Sequence, residues 1–378
     1  MIEKFNMNLS SISNYTNLVN NYDTSQSYMD YFHPKFPKFL TIIFLIIGDF
    51  GNILSLVIFC KQSMRNNSVF TYFAFLSIVD FFVITFGLGE IILITYFGFV
   101  IRNRTMFICR VHTFLTYVFT HLSSFILASV SIDRAIALNS IQLAKWYCKV
   151  NTARRVILID VILVVLINCH SLFFLGTEQL DEDTGERYLM CAAAEGTLYY
   201  KFLEPHAKYI DLLCYAIAPF AIMLVCTILI VRVLIKSSRS FRRHNHQPMN
   251  TNSKRKKNET KKKNITLSLI LLNFLFLCLV SPLVVVLLFL DSDIVNKYLT
   301  NTVYLLAYSN HCFNFIFYGI SCPPYRKCLI SFFKTTNNNN SNQNNNINQN
   351  NTNYNNNNNN NNKKPLLNDD NNNNNNPL

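Results

Sequence analysis

The sequence predicts an all-α membrane protein, a bundle of seven transmembrane helices, and three observations predict it. The 378 residues are 50% hydrophobic and only 15% charged, where a soluble domain carries about a quarter charged residues. Mean hydropathy is +0.18 although residues 337–378 are mostly asparagine, so the remainder is strongly apolar. The apolar residues also come in long runs, not in the alternation of a membrane barrel. Thirty-two Phe beside one Trp, nine Gly and ten Pro fit neither a collagen, a linker protein nor a Gly-rich barrel.

A helix needs about 20 apolar residues to cross about 30 Å of hydrocarbon. Seven runs meet that length: Phe39 to Cys60, Phe70 to Phe97, Phe107 to Leu138, Val156 to Leu175, Ile210 to Ile235, Ile265 to Leu290 and Tyr298 to Ile320. They divide the chain into an N-terminal segment (1–38), a seven-span domain (39–320) and a C-terminal portion (321–378). Nothing before Phe39 has the apolar core of a cleavable signal peptide, so the first span is expected to be its own targeting signal. The asparagine tract from 337 to 378 cannot bury a core and is expected to be disordered. Hydropathy shows no two-fold repeat of the kind that duplicated transporters carry.

Charge sets the expected orientation, because basic loops stay cytoplasmic. The segment from Arg232 to Lys263 holds twelve Lys and Arg against one acid, Glu259, whereas Thr177 to Ile210 holds seven acids against Arg187, Lys201 and Lys208. With seven spans the N-terminus is then outside and the C-terminus cytoplasmic. The sequons at Asn8, Asn14 and Asn103 fall on the outer side and are candidate glycosylation sites; another at Asn258 falls inside. Of eleven cysteines, Cys109 and Cys191 face the oxidising compartment. A disulfide between them would staple the acidic loop over the bundle; the alternative is two unpaired thiols.

Polar groups in hydrocarbon are costly and so face the bundle interior. Span one carries Asn52, span two Asp80, span three Ser123, and span seven Asn310, Asn314 and Tyr318, the last three at intervals of four along one stripe. Asp80, Ser123, Asn310 and Asn314 offer oxygens that suit a Na⁺ ion; a plain network of interhelical hydrogen bonds is the alternative. Along span three, Thr116, Thr120, Ser123, Leu127 and Arg134 share a face. At its inner end Asp133 and Arg134 form a candidate switch pair, or a helix-end charge pair that does not switch.

These residues, in this order, resemble the rhodopsin-like family of G-protein-coupled receptors over roughly residues 39 to 334. Gly51-Asn52, Leu76 with Asp80, Ser131-Ile132-Asp133-Arg134-Ala135 for D-R-Y, Pro219, Phe276 with Pro282, and Asn310-His311-Cys312-Phe313-Asn314-Phe315-Ile316-Phe317-Tyr318 for N-x-x-x-N-P-x-x-Y carry the resemblance. It implies a plasma-membrane receptor for an extracellular ligand, coupled to a heterotrimeric G protein, with Asp133, Arg134, Asn314, Tyr318 and Pro282 in its activation switch. It also implies a short amphipathic eighth helix over 321–336, around Pro324-Tyr325-Arg326-Lys327-Cys328-Leu329, with Cys322 or Cys328 as an acylation site. Ala135, Phe315, Val280 and Thr227 depart from the family motifs, and Lys262 falls near where many members place an acid to hold the motif Arg. That inner lock is therefore expected to be absent and basal activity to be high.

The resemblance also narrows the ligand. Thr116 stands where amine receptors have an Asp, and span seven lacks a mid-membrane Lys for a retinal Schiff base. The expected pocket is Glu90, Thr116, Tyr117, Thr120, Asp211, Tyr215, Tyr304 and Tyr308, and acids beside tyrosines suit a basic or amidated peptide. The alternatives are a lipid or other non-peptide ligand, or a seven-helix protein that does not couple to G proteins. No Gly-rich phosphate loop, metal-spaced His/Cys cluster or nucleophile motif points to an enzyme, no cofactor beyond the Na⁺ is expected, and no nucleic acid is an expected partner.

Overall fold

The computed structural model describes residues 38–180, 185, 187–244, 253–289 and 297–334. The side chains of 38, 202–205, 207–208, 237–244, 253–264, 289, 297–298 and 300 are outside that description. The candidate glycosylation sites Asn8 and Asn14, the loop acids Asp181, Glu182, Asp183 and Glu186, and the asparagine tail all lie outside the described residues, as does the side chain of Lys262. The chain divides into two compact units, one ending at Arg326 and one beginning at Lys327.

The first unit is a bundle of seven helical spans. Six helices are long and apolar enough to cross a membrane among the described residues: Phe39–Phe59, Ser68–Phe97, Met106–Asn139, Val150–Phe174, Tyr209–Lys236 and Ile265–Leu288. Their outward faces carry large apolar residues such as Ile46, Phe50 and Leu166, each more than half exposed. Their inward faces carry Asn52, Asp80 and Ser123, all nearly inaccessible, as is Asn314 of the seventh span. This inversion, apolar outside and polar inside, is what lipid requires.

Caps explain several of the boundaries. Asn67 accepts from the Val69 N–H at the start of span two, and Gly98, at φ 61°, closes its far end. Thr105 does for span three what Asn67 does for span two, accepting from the Ile108 N–H at 3.1 Å. The helices outrun the apolar segments at several ends. Span four begins at Val150, not Val156, because Arg154 and Arg155 are compatible with a helix though not with hydrocarbon. Span six begins at Ser253 and span five runs on to His244 for the same reason. Span five also widens into a π-helical turn over Leu213–Ile217, directly ahead of Pro219, whose missing N–H cannot serve the preceding turn.

The seventh span is not one helix. It comprises Lys297–Cys312 and Asn314–Ser321, broken at Phe313 (φ −100°, ψ 0°). The family motif has a proline at 315; here Phe315 leaves the backbone donor intact, and the bend has another origin. The Asn52 side chain donates to the His311 carbonyl at 3.2 Å, the carbonyl that an unbroken helix would give to the Phe315 N–H. The Phe315 ring lies against span one at Gly51, where an added Cβ would stand 2.1 Å from Cδ1. Only glycine permits that approach.

At one end of the bundle a hairpin of β1 (Leu175–Leu180) and β2 (Arg187–Ala193) pairs antiparallel, with a bulge between Leu175 and Thr177. It is tied down three ways. Cys191 forms a disulfide with Cys109 in the first turn of span three, its N–H donates to Asn103 Oδ1 at 3.3 Å, and Arg110 Nε donates to the Leu175 carbonyl at 2.8 Å. The Asn103 sequon is thus used twice in the fold: Asn103 holds β2 and Thr105 caps span three. At the opposite end lies Arg134. Residues 323–326 are helical, with Tyr325 donating to or accepting from Ser55 at 3.0 Å, and Cys322 is buried at 1% exposure, which removes it as an acylation site. In the second unit residues 327–334 are helical, while 335 and 336 lie outside the described residues.

Candidate functional site

Below the hairpin the bundle opens into a cleft with two lobes. The first, about 330 Å³, is walled by spans two, three, five, six and seven and by Arg102. All eight residues expected to form the pocket line it: Glu90, Thr116, Tyr117, Thr120, Asp211, Tyr215, Tyr304 and Tyr308. The second, about 650 Å³, runs between span three, span four and the hairpin and shares Arg102, Tyr117, Asp211, Leu212, Leu287 and Tyr304 with the first. Thr116 and Thr120 donate their hydroxyl protons to the His112 and Thr116 carbonyls at 2.8 and 2.7 Å, so what they offer the cleft is acceptor lone pairs. The Tyr308 ring lies so close to span two that a Cβ on Gly87 would fall 2.3 Å from it.

The two deep acids are both partnered. Glu90, 7% exposed, pairs with Arg102, 30% exposed, from the 3₁₀ turn Ile101–Asn103. Asp211 accepts from His121 Nε2 at 2.8 Å, yet 38% of its side chain remains accessible. Asn168 Nδ2 donates to His121 Nδ1 at 2.9 Å, which leaves the ring proton on Nε2, where Asp211 needs it. The wall between the lobes therefore holds a line of three polar groups, Asn168 to His121 to Asp211.

Deeper in, Asp80 is fully buried and its two oxygens accept from three side chains. Ser123 Oγ donates to Oδ1 at 2.7 Å, His311 Nδ1 stands 2.8 Å from the same oxygen, and Asn314 Nδ2 donates to Oδ2 at 2.7 Å. Facing a carboxylate, His311 Nδ1 must carry the proton. Asn310 is 2% exposed and its Nδ2 has no hydrogen-bond partner among the described residues; the span-seven side chains bonded to Asp80 are His311, the next position along, and Asn314.

Toward the other end, Arg134 donates through Nε to Asp133 Oδ2 at 3.0 Å, pairs with it again through Nη2, and donates to Ser68 Oγ at 3.2 Å. Ser68 in turn donates to Asp133 at 3.1 Å. The motif Arg is thus held by its own neighbour and by the first residue of span two. Ser131, Asn273 and Thr227 link spans three, six and five, with Asn273 Nδ2 donating to Ser131 at 3.0 Å and Thr227 at 3.1 Å. Tyr318 is 1% exposed and its hydroxyl lacks a hydrogen-bond partner among the described residues; its ring packs among Phe59, Phe73 and Tyr325. Pro282 lies inside the span-six helix.

Motif and spacing alone miss His121, His311, Asn273, Asp160 and Asp49. Asp160, 7% exposed, accepts from Ser129 at 2.8 Å; Asp49 has Thr85 at 3.5 Å. Every one lies within an apolar run, so the rule that selects Asp80 selects them too. Arg102 carries no such signal, since its pairing depends on the path of a loop.

The family model described as "7 transmembrane receptor (rhodopsin family)" matches residues 51–318. A comparison with curated proteins returns no match.

Proposed function

The chain belongs to the rhodopsin family of seven-transmembrane receptors, a multi-pass membrane protein, and from that premise we propose that it binds an extracellular basic or amidated peptide in the two-lobed cleft and signals to a heterotrimeric G protein. In this reading the hairpin end faces outward, with the N-terminus, and the Arg134 end faces the cytoplasm, with the C-terminus. The acid-rich outer loop and the basic inner loop support that orientation.

One observation carries the ligand class. Asp211 stands on the wall common to both lobes with 38% of its side chain accessible, and a carboxylate that accepts one bond from His121 keeps lone pairs for a ligand cation. Glu90 is nearly sealed and engaged by Arg102, so its role is to hold Arg102 at the cleft wall. The surrounding tyrosines supply flat contact area with a polar tip, as peptide ligands use.

The test is a library of synthetic basic and amidated peptides applied to cells expressing the chain, read by ligand-dependent nucleotide exchange. Asp211→Asn should weaken the best basic agonist tenfold or more, as loss of one member of a desolvated charge pair does. Asp181→Asn and Asp183→Asn should barely change it. Replacing the ligand's Arg or Lys by a neutral residue should abolish the penalty of Asp211→Asn. An uncharged lipid as the strongest agonist, indifferent to Asp211, would end the peptide reading.

A further inference from the structure

The Asp80 pocket is where a Na⁺ ion is expected in this fold, and the residues present do not fit one. A hard cation needs oxygen ligands beside the carboxylate. Here an imidazole stands against both the carboxylate and the hydroxyl: His311 Nδ1 lies 2.8 Å from Asp80 Oδ1 and 3.2 Å from Ser123 Oγ. Ser123 spends its proton on the same Oδ1 at 2.7 Å and Asn314 presents its NH₂ to Oδ2 at 2.7 Å, so all three neighbours approach the carboxylate as donors. At Asn310 it is again a donor that stands unengaged, since its buried Nδ2 has no hydrogen-bond partner among the described residues. His311 lines the 330 Å³ lobe and Asp80 does not, so an ion descending from the cleft meets the ring before the carboxylate.

We propose that His311 takes the ion's place. The donor that joins spans two, three and seven at Asp80 is a side chain of the protein, and the conformational equilibrium of this receptor is indifferent to sodium. An ion shifts an equilibrium only through differential affinity for its states, and a filled site has none to offer. This inference rests on the core geometry and is independent of the ligand and of G-protein coupling.

The experiment uses the purified full-length chain in lipid nanodiscs, with its thermal midpoint measured as NaCl replaces N-methyl-D-glucamine chloride at constant ionic strength, and with KCl as a second comparison. The native chain should stay level to within about 1 °C, below the shift that an ion at ten times its dissociation constant gives a domain of this size. His311→Ser vacates the ring's volume and supplies a hydroxyl oxygen, and should gain a saturable, Na⁺-specific rise of about 2–4 °C. The double variant Asp80→Asn with His311→Ser should lose that rise. His311→Asn, which also offers an oxygen, repeats the test if the serine variant does not fold, and the native titration stands without either. A saturable Na⁺-specific rise in the native chain overturns the proposal, as does a folded His311→Ser chain that ignores sodium.

Discussion

The cleft wall and the buried core are built from the same three groups, an acid, a histidine and an asparagine, arranged differently. In the cleft they form a line: Asn168 donates to His121, and His121 to Asp211, whose far side stays accessible. In the core they converge: His311 and Asn314, with Ser123, all donate to an Asp80 that has no exposed surface. A line leaves its last member with unused acceptor capacity, which suits recognition. Convergence engages both oxygens and joins three spans at one carboxylate, which suits a lock. Side-chain chemistry alone does not separate the two; connectivity and burial do.

The largest effect should come from removing the point of convergence. Asp80→Ala strands three buried donors at once, and breaking a buried network this way costs about 3–5 kcal/mol. The purified chain should lose most of its thermal stability and surface expression should fall steeply; a shift equal to that of an exposed acid would mean that water already serves those donors. A smaller loss should result from disturbing the same core through packing. Gly51→Ala drives a Cβ into the Phe315 ring and should cost about 1–3 kcal/mol. Phe315→Ala should recover part of it in the double variant, and purely additive losses would separate the two positions. The smallest effect on stability belongs to the cleft. Asp211→Asn keeps an oxygen for His121 Nε2, in a side chain already 38% accessible, and should cost under about 1 kcal/mol by denaturation, even though the same change should weaken a basic agonist tenfold. If stability and agonist response fall together, Asp211 is part of a lock too.

How much of the molecule is legible in its sequence depends on what each signal measures. Apolar runs measure hydrocarbon thickness, so all seven spans are legible, but Val150, His244 and Ser253 are not legible as helix ends because the helices leave the membrane before they stop. The Cys109–Cys191 link is legible from compartment, and the eight cleft residues from depth and chemistry, because a bundle of fixed connectivity gathers its outer turns in one place. Span seven is where periodicity stops being a guide. A stripe at intervals of four assumes a continuous helix, which the break at Phe313 interrupts, and it passes over His311, which reaches Asp80 beside Asn314. No proline marks that break, and the side chain that meets the His311 carbonyl there, Asn52, lies more than 250 positions away.

A bend held in that way differs in kind from one made by proline. Proline commits a helix to its elbow for the life of the chain, since the ring deletes the donor that would straighten it. Phe315 keeps its donor, and the carbonyl it would pair with is only borrowed by an amide on a neighbouring span. Both groups that a straight helix would join are present, and a carbonyl with two lone pairs can serve Asn52 and Phe315 together, so the chemistry of this elbow, unlike that of a proline, leaves the straight form available.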